Sequence, residues 1–125
     1  MQKILLIDDE PDAIEMMREY LSAHGYSVSS ALDGEDGFAK FEFESPEVVV
    51  CDIRMPKKDG FQFLQELREK KKWVPVIIVS ALTDPANVLK GYGLEADYYI
   101  NKPINLEDLH RAIRIMSSLI PMRAE

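Results

Sequence analysis

The sequence predicts an α/β protein, a doubly wound sandwich on a five-stranded parallel sheet. Two observations carry that expectation. Short β-branched apolar runs alternate five times with segments of helical period, and that alternation is the pattern of successive strand–helix units. Three of the five runs are almost continuously apolar, as strands covered by helices on both faces are.

The first run, Lys3–Asp8, holds Ile4-Leu5-Leu6-Ile7. Pro11 then suits the first turn of a helix, where its missing N–H is not needed; Ile14, Met17 and Leu21 form the inner stripe and Gly25 the stop. The second run, Tyr26–Ser30, is more polar and suits a sheet edge. Asp33 is placed to cap the next helix, with Phe38, Ala39 and Phe41 as its apolar face. Val48–Asp52 is the third run, and Gly60 precedes a helix with Phe63, Leu64 and Leu67 inward. Pro75–Ser80 is the fourth. A helix from about Pro85 to Leu94 contains Gly91 and Gly93, each costing about 1 kcal/mol relative to alanine, so it is expected to be the least rigid. The fifth run is Asp97–Asn101. The last helix starts at a cap, Asn105, and carries Leu106, Leu109, Ile113, Met116 and Ile120 at steps of three and four.

One domain over residues 1–125 is expected from the length, and 46% hydrophobic residues suffice for one core. Pro121–Glu125 reads equally as a terminus or as a cut after the domain. No apolar run approaches the ~20 residues of a membrane span, and the Ile4–Ile7 run is too short for a signal peptide. One cysteine, Cys51, leaves no internal disulfide, so a cytoplasmic setting is expected. A net charge of −7, with 22 acids against 15 bases, argues against direct nucleic-acid binding. The run Lys70-Lys71-Lys72 reads as a solvated helix end.

In open α/β sheets ligands sit beyond the carboxyl ends of the strands. Asp8-Asp9 end the first strand here, Asp52 the third and Ser80 the fourth, and Lys102-Pro103 follow the fifth. Each acid alone reads as a helix cap; the set together reads as a site. Three carboxylates in one pocket repel, and a divalent cation relieves that. An all-oxygen set suits Mg²⁺, with Mn²⁺ as an alternative, rather than zinc.

The segments Ile7-Asp8-Asp9-Glu10-Pro11, Asp52-Ile53-Arg54-Met55-Pro56 with Asp59-Gly60, Val79-Ser80-Ala81 and Tyr99-Ile100-Asn101-Lys102-Pro103 resemble the signature of response-regulator receiver domains, in register over nearly the whole chain. The resemblance implies a flavodoxin-like (βα)5 receiver fold with strand order 2-1-3-4-5. It implies Asp52 as phosphoacceptor, Asp9, Asp52 and the Arg54 carbonyl as direct Mg²⁺ ligands, and Asp8 acting through a metal-bound water. Lys102 would pair with phosphoryl oxygens, Ser80 would bond the phosphoryl group, and Tyr99 would be the aromatic switch. A cis Lys102–Pro103 bond is expected on the same ground. The implied partners are a sensor histidine kinase or phosphotransfer protein and a downstream protein or effector domain, with a monomer or a weak phosphorylation-dependent dimer. The output surface would be the fourth helix, fifth strand and last helix.

Three departures from the family pattern stand out. Glu95 occupies a common glycine position, with Gly93 as its substitute. Tyr98 replaces an acid of the inter-subunit network in winged-helix regulators, which leaves Leu89, Lys90, Tyr92, Tyr98, Arg111 and Arg114 as the candidate partner surface. The resemblance makes Arg54 and Leu82 positions that tune dephosphorylation; Leu82 is apolar and is not expected to align an attacking water, so a phosphoryl group that is not short-lived is expected. Gly91-Tyr92-Gly93-Leu94-Glu95-Ala96 lies in a helix, not after a strand, and is no nucleotide loop. His24 and His110 are far apart in sequence, lack metal-ligand spacing and read as helix-surface residues, and Cys51 as core. A dehalogenase-type phosphatase would need D-x-D after the first strand and is disfavoured. The remaining alternative is a receiver-fold binding module that works without phosphorylation.

Overall fold

The structure is a computed structural model and describes residues 2–53, 59–70, 74–80 and 98–118, with Ser80 through its backbone only. The described elements are β1 (Lys3–Ile7), α1 (Pro11–Ala23), β2 (Ser27–Ala31), α2 (Gly34–Glu44), β3 (Val48–Asp52), α3 (Gly60–Glu69), β4 (Val76–Ser80), β5 (Tyr98–Asn101) and α4 (Leu106–Ser118). The helix expected near residues 85–94 lies outside the described residues, as do Leu82, Leu89, Lys90, Tyr92, Glu95, Asp97 and Ile120.

All strand pairs are parallel and the order is β2-β1-β3-β4-β5, the expected doubly wound sheet. The apolar runs fill its centre: every residue of β3 is buried, and so is all of β1 after Lys3. β2 buries only Ala31 and lies at an edge, as its polarity indicates. Alternate strand residues feed two cores. Leu5, Ile7, Val49, Cys51, Val76 and Ile78 pack against Phe38, Phe41, Phe63, Leu64 and Leu67 from α2 and α3. Ile4, Leu6, Val48, Val50, Ile77 and Val79 pack against Ile14, Met17 and Leu21 of α1 and Leu109, Ala112, Ile113 and Met116 of α4. Each fully buried Leu, Ile or Phe contributes roughly 1.5–3 kcal/mol, so docking rather than intrinsic propensity holds these 10–13-residue helices.

The helix ends follow local chemistry. α1 begins at Pro11 and stops before Gly25, whose φ of 92° is left-handed and suits glycine. The Asp33 side chain accepts from the Asp36 N–H at 2.8 Å. Asp59 and Gln62 form a reciprocal capping box at the start of α3. The Asn105 side chain accepts from the Asp108 N–H at 3.1 Å.

One sequence expectation is corrected. Ala39 is exposed; the inner face of α2 is Gly34, Gly37, Phe38 and Phe41. Gly37 lies so close to β1 that an added Cβ would sit 2.6 Å from Ile7 Cδ1, and this close approach turns Ala39 outward. His24 and His110, far apart in sequence, meet in space: their ring centroids are 4.6 Å apart, because the end of α1 packs beside the start of α4 on one sheet face. Among the described residues no helix is long and apolar enough to cross a membrane.

Candidate functional site

The carboxyl ends of β1, β3 and β5 bring Asp8, Asp52 and Lys102 together. Asp8 follows β1 directly, its N–H donating to the Ala31 carbonyl at 3.1 Å. Its carboxylate accepts from the Glu10 N–H at 3.0 Å, so the turn after β1 wraps around it. Asp8 and Asp52 are 2% and 6% exposed, the buried charged residues among those described. Lys102 follows β5 and precedes the cis bond expected at Pro103. Its Nζ lies 3.1 Å from Asp52 Oδ2, 3.3 Å from Asp8 Oδ2 and 3.4 Å from Glu10 Oε1.

These contacts set the charges. Burial works against the Lys102 ammonium, but the Asp52 hydrogen bond and the charges of Asp52 and Asp8 outweigh it and hold it well above its ordinary range. Burial pushes the Asp8 carboxyl up; the Glu10 N–H and Lys102 pull it back, while Asp52 adds to the rise. One ammonium faces three of the carboxylates in this pocket. Asp8, Asp9, Glu10 and Asp52 each offer a carboxylate oxygen, all within 4.8 Å of one another. A set of hard oxygen donors with excess negative charge fits a small divalent cation such as Mg²⁺.

The chain after β3 is held close to this pocket. The Gly60 N–H donates to the Ile53 carbonyl at 2.8 Å. A Cβ at Gly60 would stand 2.4 Å from the Asp52 carbonyl oxygen and 2.9 Å from Ile53 Cα, so no side chain fits there without moving backbone. Cys51, fully buried behind Asp52, has its thiol pushed up by burial and then by the Asp52, Asp8 and Asp59 charges. It is a packing residue, not a reactive thiolate.

Of the residues singled out in sequence, Asp8, Asp9, Asp52 and Lys102 meet here. Ser80 ends β4, its backbone paired with Asn101; its side chain and Arg54 lie outside the described residues. Tyr99 is half-buried on β5 against the α2–α3 core. A cavity of about 420 Å³ lies between β5 and the start of α4, lined by Tyr98, Tyr99, Asn101, Pro103 and Arg111 among others. It takes in two of the six candidate partner-surface residues. Sequence reasoning missed Glu10, although it adjoins Asp9, and it missed the steric role of Gly60.

The sequence profile of the response regulator receiver domain matches residues 4–114. A probable transcriptional regulator, ycf27, of Porphyridium aerugineum is 44% identical over 113 residues, covering 90% of this chain and 47% of that protein. The transcriptional regulatory protein RprY of Bacteroides fragilis is 41% identical over 107 residues, covering 86% of this chain and 45% of that protein. The chain thus spans about half the length of these curated relatives. Among solved structures, a response regulator receiver domain protein of Clostridium thermocellum superposes with a TM-score of 0.90 at 29% identity, covering 98% of both chains. The chemotaxis protein CheY4 of Vibrio cholerae gives 0.87 at 28% identity, covering 93% of this chain and 98% of that one.

Proposed function

The chain belongs to the response regulator receiver family, and from that premise we propose that it is a phosphorylation-dependent switch whose phosphoacceptor is Asp52. One observation carries this reading. The buried carboxylate at the end of β3 is held by Lys102 at 3.1 Å, and acids ring the same pocket. The Asp52 oxygen forms a bond to phosphorus as the donor's bond to phosphorus breaks, and the leaving group departs with the electron pair. Phosphoryl transfer asks for position and charge neutralisation more than for covalent machinery. Lys102 supplies one positive charge at the developing phosphoryl oxygens. Asp9, Asp52 and the Arg54 carbonyl are the proposed ligands of Mg²⁺ (or Mn²⁺), with Asp8 behind a water. When bound, the cation neutralises the acids and the phosphoryl oxygens.

Ser80 and Tyr99 are the proposed switch pair. A group of about −2 charge on Asp52 gives the Ser80 hydroxyl and Lys102 new partners, and Tyr99, on the strand between them and the β5–α4 cavity, carries the change outward. The donor is a sensor histidine kinase or phosphotransfer protein, and the signal is a surface for a partner protein or an effector domain. We assign residues 1–125 to one receiver domain that dephosphorylates itself slowly and is a monomer or a weak phosphorylation-dependent dimer.

Intact mass after incubation with acetyl phosphate tests the reading. The expected result is a Mg²⁺-dependent gain of one phosphoryl group by the wild type and none by Asp52→Asn. No gain under any condition would replace it with the phosphorylation-independent binding module.

A further inference from the structure

Outside the acid pocket, a second group of titratable side chains gathers where α1 ends beside the start of α4. His24 and His110 have ring centroids 4.6 Å apart, inclined by 58°. Tyr20 stacks on His24 at 4.4 Å, and Tyr26 meets His110 edge-on at 5.4 Å. We propose that His24 and His110 form a two-imidazole site for a divalent transition-metal cation of the zinc, nickel and copper class.

Three observations carry the assignment. The first is spacing: imidazoles bound to one cation at about 2.1 Å, at angles between a right angle and the tetrahedral one, have centroids roughly 4.5–5.3 Å apart. The observed separation falls in that range. The second is the tautomer. His24 Nδ1 lies 2.8 Å from the Tyr20 carbonyl oxygen, and donation of Nδ1–H to it leaves the Nε2 lone pair free. A ring N–H held by a backbone carbonyl is the usual support of a metal-bound histidine. The third is field and access. His24 is the C-cap of α1, where the negative end of the helix dipole favours a cation, and it is exposed.

The chemistry separates this site from the acid pocket. Imidazole selects borderline transition metals, whereas clustered carboxylates select Mg²⁺. Burial, then the His24 and Arg114 charges, lower the proton affinity of His110. Arg114 is also the facing charge that opposes a bound cation. With two protein ligands the remaining positions go to water, and the bound ion cross-links the end of α1 to α4.

The test is calorimetric titration of Zn²⁺ into the full chain with Mg²⁺ in excess, so that the acid pocket is occupied. The expected result is one Zn²⁺ per chain, weakened at least about tenfold by either His24→Gln or His110→Gln and tightened by Arg114→Gln. Thermal melts without Zn²⁺ check that each variant folds. Where one does not, Cu²⁺ broadening of the wild-type NMR spectrum decides. First loss of the His24 and His110 ring signals supports the site; first loss of the Asp8–Glu10 amides overturns it. Zinc affinity unchanged in either folded glutamine variant, or abolished by excess Mg²⁺, also overturns it.

Discussion

The Lys102 pocket and the His24–His110 pair are both built by residues distant in sequence, and they differ in what assembles them. The pocket lies where β1, β3 and β5 end, and parallel pairing fixes which residues emerge there. Opposite charges meet in it, with Asp8 2% and Lys102 17% exposed at the side chain, so salt screens the contacts weakly. The histidine pair lies on helix surfaces, where no ladder sets register and two groups of like kind face each other. The lesson is that a strand end both positions a charge and buries it deeply, whereas a helix-packing seam positions its groups and buries them only in part.

That contrast can be broken by substitution. The largest expected effect is at Asp52: Asp52→Asn abolishes phosphoryl uptake outright, while His24→Gln leaves it intact, both read by intact mass. Lys102→Gln comes next. It removes the ammonium from three carboxylates and is expected to slow phosphorylation by acetyl phosphate about 100-fold, measured as the rate of mass gain at fixed Mg²⁺. Third is Gly60→Ala, whose Cβ meets the Asp52 carbonyl at 2.4 Å. Backbone must shift, so denaturant unfolding should show a loss of about 2–3 kcal/mol; a neutral result would mean that α3 does not dock as described.

The smallest effect belongs to His110. Its folded proton affinity is lowered from the ordinary value of 6.5 by burial and then by His24 and Arg114. The unfolded chain therefore takes up the proton first, so this contribution to stability is lost as pH falls through about 6.5. The metal-free thermal midpoint should drop between pH 7.5 and 5, and more steeply than in His110→Gln. Equal slopes would place His110 in open solvent.

Much of this was legible in the sequence, for reasons that vary with the element. Val48–Asp52 has the bounds expected for the third strand because a strand buried on both faces reads as a continuous apolar run. Asp8, Asp9, Asp52 and Lys102 were readable because strand ends carry them to one place. Ala39 was assigned inward because glycine contributes no apolar signal, yet Gly37 is what lets α2 approach Ile7. The pairing of His24 with His110 was hidden because helix packing juxtaposes residues without a spacing rule. Glu10 carries no signal of its own in the sequence, being the third acid of a run, yet Lys102 lies within 3.4 Å of it.

The central claim is that Asp52, among four neighbouring acids, takes the phosphoryl group. Borohydride reduction of the protein treated with acetyl phosphate and Mg²⁺, followed by peptide mapping, tests it most directly, because an acyl phosphate is reduced where a free carboxylate is not. Reduction at Asp52 alone is the predicted result. Reduction at Asp8, Asp9 or Glu10, or at none of the four, would contradict it.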